Sequence, residues 1–268
     1  GARPVMNAAN LGVRLQTASA QAAWSWKTRQ RRRSRSRPGK VLYSHIPKCA
    51  GTSLISEFNI PCARKVRDIR PIEESRLTVA SFDHLPIPWL IAIGALRKRF
   101  IEDSTLVTVV RNPFTQTQSL FRNLRRLSLV PAEWDIEVWL EQVRALHEGM
   151  RQSDPWRFSV EASQFPWMRS AGINSFWIRG AWPQVAWVQD LEFDYVGRFE
   201  DLNEVRREFA GLMQRPLPKP RHLNKKEGTE AEERSLFSKR AEELVREIYA
   251  ADFERFAYPT ETPEACRR

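Results

Sequence analysis

Residues 104–110, STLVTVV, constrain the fold more than any other stretch of this chain. The run is apolar and β-branched without a polar face, the pattern of a strand buried on both sides. Such a strand needs covering layers on both faces, which points to a parallel sheet clothed in helices. It runs straight into Arg111-Asn112-Pro113 and then a helical pattern through residue 126. Residues 41–46, VLYSHI, read as another strand, ended by Pro47 and followed by a Gly-containing turn and a helix with Thr52 or Ser53 as its cap. Residues 77–82 read as a strand, and residues 89–100 as a helix that closes on basic residues. Residues 134–150 have helical apolar spacing. Residues 194–199 form a further strand, followed by a helix over 201–214, a Pro-rich basic loop over 215–226 and an amphipathic helix over 230–256. Strands alternating with helices predict an α/β domain on a parallel sheet, with a helical C-terminal half and no internal repeat.

Composition limits what such a domain does. The chain has 268 residues, 42% of them hydrophobic, with 14 Phe and 10 Trp. That supplies one sizeable core, or at most two modest ones, and excludes global disorder. The net charge of +11 suggests nucleic acid until it is divided by region: residues 1–40 carry ten Lys or Arg and no acid, leaving +1 for residues 41–268. The basic character therefore belongs to a tail, and no nucleic-acid partner is expected for the folded part. Residues 1–40, with RQRRRSRSR at 29–37, are expected to be a disordered tail preceding a single domain over 41–268. An organelle transit peptide or a basic arm that touches acidic polymers or membranes are the functional alternatives. The first residue is Gly, so Gly1 need not be the biological start. No window reaches the roughly 18–20 apolar residues of a membrane helix, so the chain as given reads as soluble. Cys49, Cys62 and Cys266 have no metal-like spacing and fit a reducing compartment, with a single Cys49–Cys62 bridge left open.

Two segments carry chemistry. The first is HIPKCAGTS, residues 45–53, between a strand and a helix. A tight turn there offers successive backbone N–H groups, Lys48 adds a full charge, and Thr52 and Ser53 add hydroxyls. Gly51 lets the backbone approach an anion closely. It is not a Walker A loop, in which Lys follows the second Gly. The second segment is RNPFTQTQS, from Arg111 at the strand end to Ser119 in the second turn of the next helix. A guanidinium fork and a hydroxyl at the carboxyl edge of a sheet suit a terminal phosphate.

VLYSHIPKCAGTSL closely resembles the phosphosulfate-binding loop of carbohydrate-type (family 2) sulfotransferases, and the RNP…S segment resembles that family's 3′-phosphate motif. The commonest family residue at the Cys49 position is Thr. The resemblance, extended by weaker echoes in DYVGRFEDL (194–202), RHLNKKEG (221–228) and ADFERFAYP (251–259), covers residues 41–258. It implies a P-loop-type parallel sheet and 3′-phosphoadenosine 5′-phosphosulfate (PAPS) as sulfonate donor, held by Lys48, Cys49, Ala50, Gly51, Thr52, Ser53, Arg111 and Ser119. It implies a hydroxyl acceptor, in many members a glycan, and no metal. Animal members acting on glycans are usually anchored in the Golgi by an upstream helix.

The transfer needs a base. His84, in VASFDHLP just past a strand end, is the candidate, and Asp83-His84 partly matches the family's Gly-His; Glu73 and Glu74 are the rivals. His45 reads as a loop-shaping residue and His147 as a surface one. Arg198 and Glu200 read as structural, and Lys225 or Lys226 as phosphate contacts or solvated loop. The Trp residues at 156, 167, 177, 182 and 187 read as core or as sugar platforms. A nucleotide kinase and a non-catalytic nucleotide- or glycan-binding module are the alternative functions.

Overall fold

The computed structural model describes residues 41–60, 62–63, 79–83, 86–92, 98–151, 180–188, 191–220 and 237–266. Its strands are β1 (Val41–His45), β2 (Cys62–Ala63), β3 (Val79–Asp83), β4 (Thr105–Val110) and β5 (Tyr195–Arg198). They form a five-stranded sheet in the order β2-β3-β1-β4-β5. Every pairing is parallel. β1 lies in the middle, in register with β3 from Val41↔Val79 to His45↔Asp83 and with β4 from Val41↔Thr105 to Ser44↔Thr108. All residues of β1 and β4 are buried, as the apolar runs require. The expected parallel sheet flanked by helices is what the chain builds.

The helices are α1 (Gly51–Glu57), α2 (Ile87–Ala92), α3 (Lys98–Glu102), α4 (Pro113–Arg126), α5 (Ile136–Arg151), α6 (Val185–Val188), α7 (Leu202–Leu212), α8 (Lys239–Ile248) and α9 (Ala250–Phe256). Beyond Val110 the only strand among the described residues is β5. The chain divides into two compact units. One holds the sheet with α1–α3, α6 and α7; the other holds α4, α5, α8 and α9. None of the helices among the described residues is long and apolar enough to cross a membrane.

In the sheet unit α7 packs through Phe209, whose ring lies 5.4 Å from Tyr43 on β1, 6.1 Å from Tyr195 on β5 and 6.1 Å from Phe58 after α1. Burying such a ring contributes about 1.5–3 kcal/mol. Gly197 sets the closeness of this contact: a Cβ there would sit 2.5 Å from the Val205 side chain. Arg206 on α7 pairs with Glu57 on α1 at 2.7 Å with both side chains nearly inaccessible, and its fork also reaches the Pro218 carbonyl. The start of β4 is tied to the start of β5 by Asp194, whose Oδ2 accepts from the Leu106 N–H at 2.8 Å while its own N–H donates to the Leu106 carbonyl at 2.9 Å.

The helical unit is built on aromatic packing. Phe114 on α4 meets Phe237 and Phe253, and Phe121 meets Trp139 on α5. Arg240 on α8 bonds Glu141 on α5 at 2.8 Å.

Three local readings need correction. The helix expected from residue 89 begins at Ile87, because Pro88 in a first helical turn costs no ladder bond. The single helix expected over 230–256 is two helices. Ser238 caps the first by accepting from the Ala241 N–H at 3.0 Å, and Tyr249 leaves helical geometry between them (φ −109°, ψ 22°). Residues 221–236 lie outside the described residues. His147, expected on the surface, is half-buried: its Nε2 lies 3.1 Å from the Ala181 carbonyl, with Trp182 and Tyr249 beside the ring. Of the Trp-rich segment, Trp182 and Trp187 are buried core residues; Trp156, Trp167 and Trp177 lie outside the described residues.

Asp194 gives a test of the sheet's edge. Burial raises its pKa above the ordinary carboxylate value against the lowering effect of the Leu106 hydrogen bond. The folded state therefore holds the proton more tightly than the unfolded chain. The stabilisation tied to that proton is complete below the unfolded value and is lost as pH rises through the folded one. Asp194→Asn keeps the acceptor without the charge, so its melting temperature should equal or exceed that of the parent at neutral pH. The advantage should shrink as pH falls toward the carboxylate range. Asp194→Ala should lose about 1–3 kcal/mol in urea denaturation, the cost of an unsatisfied Leu106 N–H.

Candidate functional site

Where β1 leaves the sheet, the chain must turn sharply before α1. Lys48 and Ala50 both adopt the left-handed region at φ 64°. For residues with a Cβ this costs of order 1 kcal/mol or more each, and such strain gathers at functional turns. The turn is held by Ile46 N–H to the Ser44 carbonyl at 3.2 Å and Cys49 N–H to the Ile46 carbonyl at 3.4 Å. Left-handed residues in a tight turn converge backbone N–H groups on one side, the geometry of an anion cradle.

The expected Thr52 or Ser53 cap is not what starts α1. The N-cap is Ala50, with no side-chain cap bond, and Thr52 and Ser53 sit in the first turn. A Ser or Thr cap needs extended backbone, which the left-handed Ala50 replaces. Gly51 is required for a reason the sequence did not reveal. A Cβ there would lie 1.9 Å from Cδ2 and Nε2 of His45. The His45 ring is buried and stacked on Tyr43 at 5.8 Å, so it fills the space under the loop, the loop-shaping role expected of it. Burial, with a smaller contribution from Cys49, pushes the Tyr43 phenol well above its ordinary value, so Tyr43 stays a neutral hydroxyl.

Arg111 arrives from the end of β4. Its Nη1 donates to the Lys48 carbonyl at 3.1 Å, and its guanidinium lies 4.0 Å over the centre of the Phe199 ring. The two segments singled out in the sequence are therefore in direct contact. The backbone of Arg111 is held by Gln184, whose Oε1 accepts from the Arg111 N–H at 2.8 Å and whose Nε2 donates to the Arg111 carbonyl at 2.7 Å. The next N–H, of Asn112, donates to Glu200 Oε1 at 2.9 Å. Glu200 is thus structural, as expected. The Cys49 side chain is buried, and its Sγ lies 3.6 Å from both the Pro47 carbonyl and Gln184 Oε1.

Ser119 is half-buried in the second turn of α4, in the helical unit. His84, Glu73, Glu74, Lys225 and Lys226 lie outside the described residues; Asp83, the neighbour of His84, closes β3 in register with His45. Gln184 and Phe199 had no sequence signal. Gln184 bonds partners 73 and 135 residues away, and nothing in AWPQVAW marks it. The donor set around the loop is cationic or neutral, with no acidic residue from 45 to 53, and suits an anionic ligand.

A sequence profile of the sulfotransferase family matches residues 34–259. Among solved structures the chain is similar to a sulfotransferase from Alicyclobacillus acidocaldarius, at 14% identity over 87% of this chain and 100% of that one, with a TM-score of 0.43. No curated protein matches the chain.

The Gly51–His45 contact carries its own test. Gly51→Ala forces a methyl into a buried, stacked ring and should cost about 1–3 kcal/mol of stability, the ordinary penalty of overpacking. His45→Ala in the same chain opens the space, so the double variant should be more stable than the sum of the single losses. Strict additivity in denaturant titrations would remove His45 as the reason for the glycine.

Proposed function

We propose that this chain, which belongs to the sulfotransferase family, moves a sulfonate group from PAPS to a hydroxyl acceptor, with carbohydrates as the acceptor class. The observation that carries the reading is the contact between the Arg111 guanidinium and the Lys48 carbonyl, which joins two segments read separately as phosphate sites. Family membership supports sulfonyl transfer over the phosphoryl transfer of a kinase. A non-catalytic binding module would keep the same nucleotide contacts and lack turnover.

In this reading Lys48 and the backbone N–H groups of Cys49, Ala50, Gly51, Thr52 and Ser53 hold the 5′-phosphosulfate end. Arg111 and Ser119 hold the 3′-phosphate and select this nucleotide over ATP. The acceptor oxygen attacks sulfur as His84 takes its proton. A new S–O bond forms, the S–O bond to the 5′-phosphate breaks, and its electron pair stays on the phosphate oxygen. Lys48 and the loop N–H groups stabilise the charge that grows there. Carboxylates at Glu73 or Glu74 are the alternative bases. No step needs a metal.

Two measurements test the reading. Calorimetric titration should give tighter binding of 3′-phosphoadenosine 5′-phosphate (PAP) than of AMP or ATP. Arg111→Ala should weaken PAP by about 2–4 kcal/mol and erase that preference. Full discrimination by a folded Arg111→Ala protein would put the 3′-phosphate elsewhere.

In a sulfate-transfer assay, Lys48→Ala and His84→Ala should each lower turnover by ~10²-fold or more. Only His84→Ala should leave PAP affinity intact and lose the acidic limb of the pH–rate profile. An active His84→Ala enzyme with that limb in place hands the role to the glutamates.

A further inference from the structure

The β4 ladder with β5 ends at Val110↔Arg198, and among the described residues no strand pairs with Arg111. Gln184 takes the place of one. Its side-chain amide binds both the N–H and the carbonyl of Arg111, at 2.8 and 2.7 Å, and is itself fully buried. Only one orientation of the amide meets both groups, oxygen toward the N–H and nitrogen toward the carbonyl. The same Oε1 lies 3.6 Å from the Cys49 thiol, and the Arg111 guanidinium returns to the Lys48 carbonyl at 3.1 Å. Gln184, Cys49, Lys48 and Arg111 thus form a closed ring of contacts in which the loop and the strand end cannot shift independently.

We propose that Gln184 is a positioning residue of the donor site, setting the placement of Arg111 relative to the Lys48 loop and thereby the selectivity for a 3′-phosphate. The proposal rests on the donor reading above, in which the loop and Arg111 hold two ends of one nucleotide. Gln184 acts through Arg111 and the loop. Its amide nitrogen and oxygen both engage the Arg111 backbone, and the oxygen also meets the Cys49 thiol.

The test is Gln184→Glu, nearly the same shape, with PAP and AMP affinities measured by calorimetry on the full chain. A carboxylate turns an oxygen toward the Arg111 carbonyl where Gln184 supplies a donor. PAP affinity should fall about tenfold while AMP changes little, so the preference narrows by a similar factor. Burial beside a carbonyl raises a carboxyl pKa, and the neutral acid again offers a donor. Between about pH 8 and about pH 5 the variant should therefore regain the parent's preference, measured against the parent at each pH.

A folded variant that discriminates like the parent at every pH overturns the role of Gln184 alone. A loss that does not recover at low pH overturns it as well, since the effect then belongs to packing. A parent protein that binds PAP no better than AMP overturns the donor reading and this proposal with it. If Gln184→Glu does not fold, Cys49→Ala carries the test, because it cuts Gln184 from the loop and leaves both bonds to Arg111. PAP affinity should then fall about threefold, and an unchanged affinity overturns the proposal.

Discussion

A parallel strand that stops inside a sheet leaves backbone N–H and carbonyl groups with no ladder partner, and the rest of this sheet unit depends on how those groups are satisfied. An unmet buried amide costs about 1–3 kcal/mol, so the chain cannot leave several in one place. Side chains from distant segments meet the demand. Asp194 serves Leu106 at the start of β4, and Gln184 and Glu200 serve Arg111 and Asn112 at its end. At the end of β1 the Lys48 carbonyl receives the Arg111 guanidinium. Each of these bonds meets a backbone group at a strand end, and those at Arg111 and Lys48 also fix the two segments against each other.

The electrostatics follow from the same choice. Glu200 turns its carboxylate to a backbone N–H, and Glu57 is consumed by Arg206. Each of these two carboxylates is thereby matched to a donor of the protein's own. Residues 45–53 bring only Lys48 and His45 as titratable or charged groups besides the Cys49 thiol. The strained φ of Lys48 and Ala50 persists because the turn is fixed at both sides: by the His45 ring beneath Gly51 and by Arg111 on the Lys48 carbonyl.

What the sequence revealed and what it hid divide along the range of the interactions. Strands β1, β3, β4 and β5 were legible because β-branched apolar runs report burial on both faces, a local property. The HIPKCAGTS and RNP segments were legible because a turn between strand and helix is also local. The break at Tyr249 was not, since the amphipathic pattern runs on through it; that residue's hydroxyl reaches the Ala181 carbonyl, 68 positions away. Gln184 was hidden for the same reason. A glutamine between Pro183 and Val185 reads as surface until the strand end that it completes is known.

Cys49 brings these strands of reasoning to one atom. Where the resembling family most often has Thr, this chain has a thiol, and the side chain is fully buried, directed at the Pro47 carbonyl and Gln184 Oε1. The position therefore asks for a small side chain with an inward-facing donor. Thr and Cys both meet that requirement, the thiol as the weaker donor at a longer distance. The departure thus falls on the ring of contacts that braces the loop.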